Sequence, residues 1–349
     1  MLADGLPHNG LLPELDRHPR VDLGLICTNI DPLERLGRSL GISLFAKRDD
    51  AQPLAMGGNK TRQLEFYLGK AAQEGSDTVL ITGAVQSNFV RSTAAAARKL
   101  GWQAIVQLED RVPTDDPIYA ASGNVLLNQI FGAEVHYFPE GENEAAADAH
   151  LDELAEKCAQ EGKKPFTIHL SIDSAPLGGL GYAFAAAETW RQFKDLGTMP
   201  DHVVIPSGSG LTHAGFLVGA RAIGWDVPVH GICVRRAAPL QKQRITQKAE
   251  EVNALLGHRA TLSPNDVVVD DETLSPGYGR LNEAVSSAME RAALDEALLL
   301  DPVYSGRTMA GLISLVERGV IAPGATVAFI HTGGLPALFA YQNALTARG

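Results

Sequence analysis

HVVIPSGSGLTHAGF, residues 202–216, runs from an apolar strand-like segment into an apolar helix-like one through a turn of glycine and hydroxyl residues. Such a turn presents backbone N–H groups at a helix N-terminus, where they favour a bound anion. Ser207, Gly208, Ser209, Gly210, Leu211 and Thr212 are therefore candidate phosphate ligands. A tight strand-to-helix connection with no ligand explains the same residues. Working outward, other short apolar runs bounded by Gly or Pro start at Ser43, Asp77, Gln103, Glu134, Val229 and Thr326. Each reads as a strand buried on both faces. Stretches of helical length separate them, as in TRQLEFYLGKAAQEG from Thr61, which Gly75 ends. Strand and helix in alternation predict an α/β protein with parallel-rich sheets flanked by helices, and ligands beyond the carboxyl ends of its strands.

The 349 residues exceed the usual size of one domain, so two domains are expected. A net charge of −11 argues against nucleic acid and acidic membrane surfaces as partners and leaves a small-molecule substrate. Cys27, Cys158 and Cys233 are too few and too scattered for a disulfide framework or a zinc cluster, so no metal is expected. No long apolar span and no leader pattern is visible, which predicts a soluble, cytoplasmic protein.

Two further turns carry candidate chemistry. In GAVQSNFVRS, from Gly83, Gln86, Ser87 and Asn88 occupy the first turn of a helix, placed either to bind a substrate carboxylate or to cap the helix. In MGGNKTRQLEF, from Met56, paired glycines and Asn59 precede Lys60. The helix dipole disfavours a cation at this position, and the glycines permit close approach of a ligand. A lysine so placed suits covalent chemistry on a carbonyl, followed by proton transfer. A solvated surface lysine is the plain alternative. Tyr278, Tyr304, Ser305 and Thr332 add hydroxyls near element ends. No P-loop or dinucleotide glycine signature follows any strand, which argues against a nucleotide site.

In order, KRDD, GGNKTR, QSN, GSGLTHAG, PGYG, DPVY and HTGG resemble the family of D-cysteine desulfhydrase and 1-aminocyclopropane-1-carboxylate (ACC) deaminase, fold type II enzymes of the tryptophan synthase β-like group. The likeness spans about Pro32 to Tyr341. It implies pyridoxal 5'-phosphate held covalently by Lys60, with Asn59 and Asn88 beside it and its phosphate in the 207–212 loop. It implies Ser87 at the substrate carboxylate, Tyr278 and Tyr304 flanking the substrate, and Ser305 and Thr332 near the cofactor ring. A large domain of residues 1–61 and 171–349, a small inserted domain of residues 62–170, and a homodimer follow from the same likeness.

The resemblance has departures. Ser305 stands where ACC deaminases carry Glu, and Thr332 where they carry Leu, as in the desulfhydrase pattern. Hydroxyl partners leave a pyridine nitrogen closer to neutral than a carboxylate does, which disfavours opening a cyclopropane ring. Leu211 replaces a usual glycine, and SIDSAPLGGLGY, from Ser171, matches neither subfamily. Asp173 in that loop either faces the substrate, favouring a cationic one over a sulfonate, or caps the next turn. The expected reaction is β-elimination from D-cysteine to pyruvate, hydrogen sulfide and ammonia. ACC deamination, elimination from D-serine, cysteate or diaminopropionate, and ligand binding without turnover are the alternatives.

Overall fold

The computed structural model describes residue 2 and residues 10–346. Two sheets organise them. The larger has strand order β1-β2-β10-β7-β8-β9, formed by Ile30–Pro32, Ser43–Lys47, Thr326–Ile330, His202–Ser207, Val229–Cys233 and Val268–Asp270. The smaller has order β5-β4-β3-β6, formed by Glu134–Phe138, Gln103–Glu109, Thr78–Ala84 and Pro165–Ile168. All pairings are parallel except that of β1 with β2. Pro32, which has no N–H to give a ladder, lies on that edge strand.

Side chains alternate between the faces of the larger sheet. Val203, Ile205 and Val229 pack with Phe216 and Leu217 of α7 (Leu211–Ala222) and with α6 (Leu177–Asp195) and α8 (Ala238–Leu255). Val204, Ile232 and Phe329 face the other way, onto α1 (Glu34–Leu40), α9 (Glu283–Glu296) and α10 (Ser305–Glu317). In the smaller sheet Val79, Ile81 and Val106 meet α2 (Lys60–Gln73) and α3 (Asn88–Leu100), while Leu80 and Ile105 meet α5 (Glu144–Gln160).

The expected strands at Ser43, Asp77, Gln103, Glu134, His202, Val229 and Thr326 are all present. Glu134–Phe138 is not buried on both faces; it is the edge of its sheet and is largely accessible. Among the described residues no helix is long and apolar enough to cross a membrane.

Candidate active site

A cavity lies where the carboxyl ends of both sheets converge. Its lining includes Gly83 and Ala84 at the end of β3, Pro206 at the end of β7, and residues just past β4, β6, β8 and β10: Arg111, Leu170, Val234 and Thr332. Parallel strands leave unsatisfied backbone groups and helix N-termini at that end, so ligand-binding residues collect there.

Lys60 enters this cavity as the first residue of α2. The loop before it passes through Ala55 and Met56 with φ of 47° and 67°, and the Arg91 guanidinium donates to the carbonyls of Ala55 and Gly57. At Gly57 a Cβ would fall 1.8 Å from the Asp50 carbonyl oxygen, so no larger residue passes. The Asn59 N–H donates to Thr332 O at 3.0 Å, tying this loop to the end of β10. The opposite face of α2 is fixed by buried charge: Arg62 donates to Asp49 (2.9 Å) and Glu188 (2.7 Å), and Lys47 pairs with Glu188 (2.5 Å).

The Lys60 amine donates to Gln63 Oε1 at 3.3 Å and lies 4.8 Å from the centre of the Phe89 ring. It has no carboxylate beside it among the described residues, and enclosure by the protein lowers its pKa to about 7. A substantial fraction is therefore uncharged and nucleophilic at neutral pH. Thr212 Oγ1 accepts from Asn59 Nδ2 (2.9 Å) and Gln63 Nε2 (2.8 Å), which joins the lysine loop to the start of α7. Gly208, Ser209 and Gly210 line the cavity before that helix, whose first N–H groups lack intrahelical acceptors.

Ser87 caps α3, accepting from Val90 N at 3.3 Å, and also lines the cavity with Asn88, so the capping role leaves it facing the space where a ligand would sit. The Tyr278 and Tyr304 hydroxyls are 2.8 Å apart on the lining. Burial, and for Tyr304 also the neighbouring phenol, raises both pKa values, so both remain protonated donors at neutral pH. Thr332 lines the cavity.

Other expected residues stand away from the lining. Gln86 donates to Tyr119 O (2.6 Å) and Ser122 O (3.0 Å) and accepts from Asn124 N (2.9 Å), which uses its amide to hold a neighbouring loop and leaves none for substrate. Asp173 is exposed, so the structure supports neither a cationic preference nor rejection of a sulfonate through it. Ser305 is buried behind the wall with its hydroxyl donating to Asp301 Oδ1 at 2.6 Å. Ser207 turns inward to His213 (3.1 Å) and Gln241 (2.9 Å), and the Leu211 side chain packs into the core. Sequence reasoning passed over Arg111, Arg235, Arg236, Arg244 and Glu144, all on the lining. The Arg-Arg pair directly after β8 was the available signal, since it sits at a strand's carboxyl end.

Residues 21–333 match the family described as "Pyridoxal-phosphate dependent enzyme". The chain belongs to this family. It is 39% identical over 331 residues to the D-cysteine desulfhydrases of Salmonella schwarzengrund and Salmonella choleraesuis, an overlap of 95% of this chain and 98% of each relative. A crystal structure described as an ACC deaminase homologue superposes with a TM-score of 0.85 at 32% identity, covering 98% of this chain and 99% of that one. The diaminopropionate ammonia lyase of Escherichia coli, at 16% identity and a TM-score of 0.63 over 97% of this chain and 90% of its own, shares the fold.

The cofactor is pyridoxal 5'-phosphate, and the residues present fit it. An amine with a lowered pKa, a glycine turn opening a helix, and an Asn–Thr–Gln brace between them match what a covalent anchor and a phosphate seat require.

Proposed function

We propose that the chain eliminates the β-thiol of D-cysteine, giving hydrogen sulfide, pyruvate and ammonia. The observation that carries this reading is the Lys60 amine, held near neutrality in a cavity it shares with Ser87 and the Tyr278–Tyr304 pair. Full-length similarity to D-cysteine desulfhydrases supports the substrate. The absence of a carboxylate at position 305, where ACC deaminases carry Glu, supports a thiol over a cyclopropane.

Pyridoxal 5'-phosphate supplies the electron sink that stabilises a carbanion at the substrate Cα. Lys60, Asn59 and Asn88 would hold it, and the 208–212 turn would seat its phosphate. Ser87 and the N-terminal amides of α3 receive the substrate carboxylate. Lys60 Nζ, besides anchoring the cofactor, would take the Cα proton of the substrate, a role that a pKa near 7 suits. Of the hydrogen-bonded Tyr278–Tyr304 pair, still protonated, one donates to the other and the second presents its O–H to the departing sulfur. A small domain of residues 62–170, a homodimer and a cytoplasmic location complete this reading, supported by the family resemblance.

The test is to assay sulfide, pyruvate and ammonia from cofactor-loaded protein with D-cysteine, L-cysteine and ACC. Sulfide from D-cysteine is expected. Failure to release sulfide from D-cysteine sinks the assignment, and α-ketobutyrate from ACC would move it to the deaminase branch.

A further inference from the structure

Arg91 on α3 is fully buried, and no carboxylate pairs with it among the described residues. Enclosure without a counter-charge lowers its pKa to about 10, so it stays protonated at neutral pH. Its N–H groups go to uncharged oxygens. The carbonyls of Ala55 and Gly57, in the loop that leads to Lys60, accept from Nη1 and Nη2, and Asn124 Oδ1 accepts from Nε at 3.2 Å. Asn124, equally buried on α4 (Gly123–Ile130), donates from Nδ2 to Asn88 Oδ1 at 3.0 Å and to Gln86 O at 3.1 Å. Gln86 in turn fixes the start of α4, since its Oε1 accepts from Asn124 N at 2.9 Å and its Nε2 donates to Tyr119 O and Ser122 O.

The direction of these bonds is forced. A guanidinium carries donors only. Asn124 must therefore turn its oxygen to Arg91, which sends its NH2 toward Asn88. Asn88 must meet that NH2 with its own oxygen, which leaves Nδ2 as the one polar atom of its side chain still unused. Asn88 lines the cavity, and its Nδ2 has no protein acceptor among the described residues. An aspartate at position 124 would have nearly the same shape and would give the enclosed Arg91 a counter-charge, which asparagine withholds. What asparagine supplies and aspartate does not is the donor that orients Asn88.

We propose that Arg91 and Asn124 are positioning residues that hold the Asn88 amide with its N–H groups toward the cofactor, so that Asn88 donates to an oxygen of the cofactor. This rests on the reading that Asn88 helps to hold pyridoxal 5'-phosphate. Gln86, which stands away from the lining, then serves the site by keeping Asn124 in place. An Asn88 amide turned the other way would set its oxygen against that of the cofactor and leave both without a proton between them.

The experiment titrates cofactor-free protein with pyridoxal 5'-phosphate, following absorbance, in the wild type, Asn124→Asp, Asn88→Ala and the double variant. The new carboxylate accepts from Arg91 and from Asn88 alike, so it turns the Asn88 oxygen toward the cofactor. Asn124→Asp should bind the cofactor about tenfold more weakly or worse, with a shifted absorbance band, while its urea midpoint without cofactor does not fall. Added to Asn88→Ala, the same change should weaken binding by less than about twofold. If Asn124→Asp does not fold, Arg91→Gln replaces it in the cycle, with a loss of affinity that likewise vanishes in Asn88→Ala. Wild-type affinity and spectrum in Asn124→Asp overturn the proposal, and so does a loss that persists without Asn88. Wild-type affinity in Asn88→Ala overturns it together with the reading of Asn88 as a cofactor ligand. If the coupling holds but D-cysteine yields no sulfide, the Asn88 relay stands and the desulfhydrase reading fails.

Discussion

Lys47 and Lys60 are both enclosed by protein, and their surroundings could hardly differ more. Lys47 is 1% exposed and saturated: it donates to Glu188 Oε1 (2.5 Å), Thr28 O (2.6 Å) and Gln192 Oε1 (2.7 Å). Lys60 has one long hydrogen bond, an aromatic ring and an open cavity. Burial lowers both pKa values, but at Lys47 the carboxylate of Glu188 works against it, whereas at Lys60 nothing does. An enclosed ammonium with a full set of partners holds structure together. One that lacks them is held close to giving up its proton, and that state is useful to chemistry.

The largest expected effect separates the two directly. Lys60→Ala should lower sulfide release from D-cysteine by about 10⁴-fold or more while circular dichroism shows the fold intact. Lys47→Met should do the reverse: it leaves Glu188 with Arg62 alone, costs about 3 kcal/mol in urea unfolding, and spares most turnover of the folded fraction. A Lys47→Met protein that is stable yet inert would break the comparison. The smallest effect concerns pH and cofactor-free protein. Lys60 titrates at about 7 in the folded chain and near 10.5, the ordinary value of a solvated lysine, once unfolded. Below pH 7 both forms are protonated and the cost of enclosing the ammonium is fully present. Between those values the unfolded chain holds a proton that the folded chain has released, so stability should rise with pH by at most about 1.4 kcal/mol per unit. Lys60→Met should flatten that slope, and an unchanged slope would place the titrating group elsewhere.

Much of the architecture was legible because strands buried in parallel sheets are written as unbroken apolar runs. Strands β1, β6 and β9 were missed: they are three or four residues long, and Pro165 and Pro32 disguise two of them. Lys60, Asn59, Ser87, Asn88 and the 208–212 turn could be placed because each is local, a short motif at a strand or helix end. Gln86, Asp173 and Ser305 could not, because a motif does not say which side of a turn a side chain faces. Gln86 and Ser305 turn to neighbours in the protein. The arginine wall draws on residues after β4, residues after β8 and helix α8, with Glu144 from α5, and only the folded chain brings them together.

Lys60 and Arg62 are two positions apart on α2, so their side chains leave the helix about 200° apart. The angle at which the amine meets its target is thus decided by Asp49 and Glu188, which substrate never reaches. The reactive amine is aimed from behind, by a charge cluster that lies outside the cavity. A change at Asp49 would act on the chemistry without touching the cavity, by releasing the Arg62 guanidinium that holds the far face of α2.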